Sequence, residues 1–134
     1  MRAFNWIIPI AVLWLAGCGS DRGASRGAAL YTQHCAICHG ADLRGGGGAG
    51  VVGLNRIPTD LTVLAVQNGG AFPRAEVAAI LNEYAAGTQS GRLMRPFAHL
   101  NADKRRRLRT QGGRISVPGP QADVLAYLEA AQLP

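Results

Sequence analysis

The stretch Cys35-Ala36-Ile37-Cys38-His39 carries the residues with the most specific chemistry in the chain. Two thiols at this spacing can each add to a vinyl group of a porphyrin, and a histidine directly after the second thiol is then placed to bind the iron. The pattern therefore predicts a covalently attached haem, held by Cys35 and Cys38, with His39 as the proximal iron ligand.

Two other kinds of site also use paired cysteines. A thioredoxin-like redox dithiol has a strand before it and a helix after it, and half of a zinc site needs a second pair of ligands elsewhere. The segment after His39 is a glycine run, and no cysteine follows Cys38. Both alternatives are weaker than haem attachment, but the motif alone leaves them open.

Residues around the motif resemble a known family. Gly27, Leu30 and Tyr31, followed by the attachment motif and Gly40, resemble the start of a class I, mono-haem c-type cytochrome. Residues 58–62 and 68–73 are similar to segments of membrane-associated bacterial members. The resemblance spans about residues 24–131, and it implies an all-α fold of about four or five helices around one covalent haem c.

The same resemblance implies that Met94 is the distal iron ligand. In that family a methionine followed closely by proline and an aromatic residue supplies the sixth ligand, and here Met94 precedes Pro96 and Phe97. A thioether raises the reduction potential relative to two histidine ligands. The alternatives are a methionine that only fills the core and ligation by His99 instead.

The first 17 residues are expected to be a secretion signal of the lipoprotein type. A charged start precedes an apolar stretch too short to span a bilayer, and Leu15-Ala16-Gly17-Cys18 resembles a bacterial lipobox. Cys18 is thus a predicted lipidation site, and several acyl chains would hold the protein at a membrane. The alternative is an ordinary signal peptide or uncleaved anchor, with a free thiol at Cys18.

The domain organisation and the charge follow from this processing. Residues 18–25 are predicted to be a tether and residues 26–134 a single cytochrome c domain. Removal of residues 1–17 lowers the formal net charge from +6 to +5 because Arg2 is lost. A mildly basic protein favours redox partners with an acidic docking surface, or anionic headgroups. Nucleic acid is an unexpected partner for an exported lipoprotein that faces the periplasm or the cell exterior.

Helix signals divide the rest of the chain. Helices are predicted from Ser25 to His34, from Pro73 to Gly87, from Asn101 to Thr110 and from Ala122 to Ala131, together with a short apolar turn after a cap at residues 58–60. The third of these contains the basic run of residues 104–109, which is read as a solvated face or as a docking patch.

The expected function is electron transfer by an iron with two protein ligands. Six-coordination leaves no open position for a substrate, so a carrier is expected rather than an enzyme. The alternatives are a haem-based gas sensor or ligand-binding protein, and an electron-transfer subunit of a larger dehydrogenase or oxidase. One feature of the site is undetermined: Gly48 stands where many relatives have the proline whose carbonyl orients the proximal histidine.

Overall fold

The computed structural model describes residues 19–46, 56–88, 94 and 96–134. Within these ranges the chain is mostly helical. In order it forms α1 (Gly19–His34), α2 (Ala36–His39), α3 (Leu64–Gln67), α4 (Arg74–Ala86), a 3₁₀ turn (Ala98–Leu100), β1 (Arg105–Thr110), β2 (Gly113–Pro118) and α5 (Gly119–Ala130). The five α-helices of these ranges are roughly consistent with the predicted four or five, but the two strands were not expected.

Helices α1 and α5 cross in close contact at Gly27. A Cβ atom placed on Gly27 would lie 2.0 Å from the carbonyl oxygen of Asp123 and 2.8 Å from Cβ of Tyr127. One turn later the rings of Tyr31 and Tyr127 pack with their centroids 5.3 Å apart. Only glycine at position 27 allows the two backbones to approach this closely.

Helix α4 matches its prediction almost residue for residue. Pro73 precedes its first residue, and Gly87 ends it in the left-handed conformation, at φ +69°, that glycine adopts without strain. Its buried side chains include Ala78, Leu81 and Tyr84. This helix therefore presents an apolar face to the interior.

The predicted helix from Asn101 to Thr110 was wrong, because this segment contributes the first strand of a β-hairpin. Strands β1 and β2 pair antiparallel, with Thr110 opposite Gly113, so that Gln111 and Gly112 form a two-residue connection. Exposure along β1 alternates residue by residue, as it does in a strand with one covered face. The all-α prediction is corrected accordingly to a mostly helical fold with a two-stranded sheet.

The bounds of the terminal helices also differ from prediction. Helix α1 begins at Gly19 rather than Ser25, so most of the segment predicted as a tether is helical. Helix α5 begins at Gly119, with Pro120 in its first turn, where its missing N–H group costs no hydrogen bond. The predicted signal segment and Cys18 lie outside the described residues. No helix in the described part of the chain is long and apolar enough to cross a membrane.

A network of ion pairs joins α1, α5 and the hairpin. The Asp123 carboxylate accepts hydrogen bonds from Nε and Nη2 of Arg26, at 2.8 and 2.9 Å, and from Nη1 of Arg106, at 2.6 Å. Its side chain is only 7% exposed. Burial raises the pKa of Asp123, but the hydrogen bonds from both arginines outweigh that effect and hold it below its usual value. The folded state therefore stabilises the ionised carboxylate.

Replacing Gly27 by alanine tests the helix crossing. The added methyl group would meet backbone and Cβ atoms of α5 that cannot move without shifting the helix, so we expect a loss of about 1–3 kcal/mol in the free energy of unfolding. Gly23→Ala is the matched control in the same helix, because its Cβ meets nothing closer than 3.5 Å. Equal effects on urea unfolding would contradict the close crossing.

Asp123→Asn should destabilise the protein by about 1–3 kcal/mol at neutral pH, since two guanidinium groups lose a charged acceptor. A carboxylate whose pKa is lowered on folding stabilises the protein above its ordinary pKa of about 3.9, and this contribution is lost as the pH falls below it.

The difference between wild type and Asp123→Asn in the free energy of unfolding should therefore shrink as the pH is lowered from 7 to about 3. Asp103→Asn, which changes an exposed carboxylate, is the control. A difference that stays constant over this range would show that the ion pairs do not stabilise the fold.

Candidate haem-binding site

A cavity of about 540 Å³ lies between the ends of α1 and α2, the segment of residues 56–64, and helices α4 and α5. This size is in the range of small-molecule and cofactor sites. Most of its wall is apolar, and the apolar side chains that line it include Ile57, Leu61, Leu64, Val77, Ile80, Leu81, Phe97, Val124 and Leu128. Such a wall suits a large, flat, mostly apolar ligand.

The predicted attachment residues lie together on the wall of this cavity. Helix α1 ends at His34, and the single turn of α2 places Cys35, Cys38 and His39 along the lining. Both thiols are free. A helix precedes the motif and turns follow it at residues 41–45, so the strand and helix that flank a thioredoxin-like dithiol are not its neighbours here.

The orientation of His39 is fixed by a backbone carbonyl. Its Nδ1 lies 3.2 Å from the carbonyl oxygen of Thr59. Because a carbonyl only accepts, Nδ1 carries the proton and Nε2 keeps the lone pair that a metal ligand needs. Thr59 thus takes the role that could not be assigned from the sequence. Gly48, which stands at the expected position of that acceptor, lies outside the described residues.

Burial shifts the pKa values of two residues of the motif, His39 and Cys35. It lowers the pKa of His39, although the hydrogen bond to Thr59 opposes this, so the imidazole is neutral at pH 7. Burial and the neighbouring Cys38 raise the pKa of the Cys35 thiol to about 11. A neutral imidazole is the form that coordinates a metal, and a protonated thiol is the less reactive form of cysteine.

Met94 and His99, the two residues considered as the distal ligand, occupy different places. Met94 is half-buried, lines the cavity and packs against the cluster of Tyr84, Phe97 and Leu100. His99 is exposed and is not among the lining residues. Tyr84 lies at the wall as a buried residue, with its ring centroid 6.1 Å from that of Phe97. The geometry therefore brings the methionine, rather than the histidine, to the site.

One contact beside the site had no signal in the sequence. The ring of His34 stacks on that of His99 with 3.8 Å between centroids, although 65 positions separate them. Burial and the nearby His99 lower the pKa of His34. The stack joins the last turn of α1 to the 3₁₀ turn that follows Met94, and only the folded chain reveals it.

The comparison with protein families identifies this arrangement. The sequence model of the family described as cytochrome c matches residues 24–110, which include the attachment motif and Met94. The chain therefore belongs to the cytochrome c family, whose members bind haem c covalently and transfer electrons with it. Neither a search of curated proteins nor a search of solved structures gave a significant match.

The residues present fit a covalently held haem. The two free thiols lie at the edge of an apolar cavity, and the neutral imidazole beside them has a proton on Nδ1 and a free Nε2. Helix α5 extends beyond the matched residues, yet its Val124 and Leu128 complete the wall. The haem-binding unit thus includes the last helix as well as the matched segment.

Gly45→Ala tests the support of His39. Gly45 has φ +83°, and a Cβ atom there would lie 2.0 Å from the carbonyl oxygen of Pro58, the residue before Thr59. Displacing this segment should weaken the hydrogen bond to His39, make the imidazole a poorer electron donor, and raise the reduction potential by tens of millivolts. Gly46→Ala is the control, because nothing lies within 4 Å of its Cβ. Identical potentials in a redox titration of both variants would contradict this role.

Proposed function

We propose that the protein is a single-haem electron carrier, with the haem bound through Cys35 and Cys38 and the iron held by His39 and Met94. The observation that supports this most is that the attachment motif and Met94, 55 positions after His39, line the same apolar cavity. A bound haem supplies one-electron chemistry through its ferric and ferrous states.

The protein's own residues would adjust that chemistry in three ways. The Thr59 carbonyl fixes the imidazole of His39. The apolar wall excludes water, and a low dielectric disfavours the more charged oxidised state. The thioether of Met94 is a soft ligand, which also favours the reduced iron. Ligation by both His39 and Met94 would leave no open position on the iron for a substrate, which is why we propose a carrier and not an enzyme.

The proposed location is a bacterial membrane, with the protein exported, held by lipid at Cys18 and facing the periplasm or the cell exterior. The support is the sequence alone: an apolar segment too short to span a bilayer, followed by a lipobox-like ending. Redox proteins with acidic docking surfaces are the proposed partners, because the chain is basic. Labelling with radioactive palmitate, lost in Cys18→Ala, tests the anchor.

Met94→Ala tests the distal ligand. The oxidised wild type should show the weak long-wavelength band of sulfur-ligated ferric haem, and the variant should lack it. Its reduction potential should fall by on the order of 100 mV, since axial ligands are the main determinant of haem potentials. His99→Ala is the control and should keep the band. If the wild type lacks the band, or if His99→Ala abolishes it, the assignment of Met94 is wrong.

Carbon monoxide separates the carrier from a gas-binding protein. The ferrous wild type should show no rapid spectral change when the gas is added, because Met94 already occupies the sixth position. Met94→Ala should bind the gas quickly, which provides the positive control on the same protein. Fast and complete binding by the wild type would contradict the carrier and favour a haem-based sensor.

A further inference from the structure

The outer face of the β-hairpin carries a row of arginines. Arg105, Arg107 and Arg109 are exposed and alternate with half-buried residues along β1, so they share one face at intervals of about 7 Å. Arg114 of β2 is also exposed and pairs directly with Arg109 across the strands. We call these four residues the arginine face.

None of the four arginines of the arginine face forms an ion pair within the described part of the chain. The ion pairs there join Arg26 and Arg106 to Asp123, and Arg74 to Glu129. Arg105 donates only to neutral oxygens of Ser116.

Like charges directly opposite one another, as at Arg109 and Arg114, destabilise a sheet. The repulsion between Arg109 and Arg114 therefore destabilises the hairpin, and no ion pair in the described residues offsets it. An external anion would relieve this repulsion.

The arginine face is separated from the haem cavity by a layer of protein. The inner side of the hairpin packs on the core through Leu108, Ile115 and Val117. Helix α5 lies behind it, with Val124 and Leu128 on the cavity wall, and no hairpin residue lines the cavity. A redox partner must come close to the haem, so a protein bound on this face would be poorly placed to exchange electrons. The position of the arginine face therefore favours binding to an anionic surface that takes no part in electron transfer.

We propose that the arginine face binds the anionic headgroups of a membrane. A guanidinium group can form bidentate hydrogen bonds with phosphate oxygens. The arginines along the hairpin lie in a row, so several of them can contact a flat membrane surface at the same time. Each arginine near an anionic bilayer strengthens binding about fivefold. The haem cavity, on the other side of the hairpin and α5, stays free for redox partners.

A second observation favours a membrane over an acidic protein. Arg106 of β1 and Arg26 of α1 bind the same carboxylate. From Arg26 the helix runs back seven residues to Gly19, about 10 Å, and Gly19 follows Cys18 directly. The hairpin thus lies near the end of the chain where the lipid anchor is proposed. This point rests on the proposed anchor, whereas the charge argument does not.

The experiment is a competition between two vesicle populations. The full-chain, haem-loaded protein is mixed at low salt with equal amounts of dense vesicles containing about 30% phosphatidylglycerol, within the range of anionic membranes, and light vesicles of phosphatidylcholine alone. The haem absorbance of each population is read after separation. Acyl chains insert equally into both, so the anionic-to-neutral ratio reports the arginine face and the total bound fraction reports the anchor.

We expect the wild type to favour the anionic vesicles, and Arg107→Gln with Arg109→Gln to reduce the ratio about 25-fold, two arginines at about fivefold each. Two single variants form the matched pair. Arg107→Gln should reduce the ratio about fivefold, whereas Arg44→Gln removes the same charge from an exposed residue outside the hairpin and should leave the ratio unchanged. High salt should abolish the preference.

An even distribution of the wild type between the two vesicle populations would overturn the proposal. Equal losses in Arg107→Gln and Arg44→Gln would also overturn it, since net charge alone would then explain the preference. Wild type that binds only anionic vesicles and is released by salt would support the arginine face while contradicting the lipid anchor.

Discussion

The contact between α1 and α5 at Gly27 determines where the attachment motif lies. The two helices approach so closely that the position of α1 on α5 is fixed, and the Asp123 carboxylate binds Arg26 just before the crossing. After the crossing, the Tyr31 hydroxyl donates to the carbonyl oxygen of Gly40, at 2.7 Å. The end of α1 and the residue after His39 are thereby held together. A change at the crossing therefore acts on the site even though it touches no haem ligand.

The site depends on a local contribution from the attachment motif and on contributions from residues far away in the sequence. The attachment motif is local, because one helical turn positions both thiols and the imidazole. The environment of that motif is not local: the carbonyl that orients His39 comes from Thr59, and the cavity wall comes from α4 and α5. Covalent attachment needs only the motif. The properties of the bound iron depend on all the elements around it.

The features that could be predicted from the sequence are the local ones. The end of α4 at Gly87 had a clear local signal, and it was predicted correctly. The hairpin was missed because the alternation of covered and exposed positions along β1 is not visible in a run of basic residues. The covered positions are Arg106, Leu108 and Thr110, and only Leu108 is apolar. The pairing that turns this run into a strand comes from residues 113–118.

Contacts between distant residues had no such signals. The Thr59 carbonyl could not be assigned to His39 from the sequence, because any backbone carbonyl can accept the hydrogen bond that Nδ1–H donates. The stack of His34 on His99 likewise depends on the packing of two separate elements. Sequence reasoning therefore found the cofactor and missed much of what surrounds it.

The central claim is that one haem is bound covalently through Cys35 and Cys38, and the intact mass of the denatured protein tests it most directly. The account predicts a mass higher than that of the processed polypeptide by one haem, retained in strong denaturant, and lost when both cysteines are replaced by serine. A polypeptide of unmodified mass, or haem released on unfolding, would contradict it.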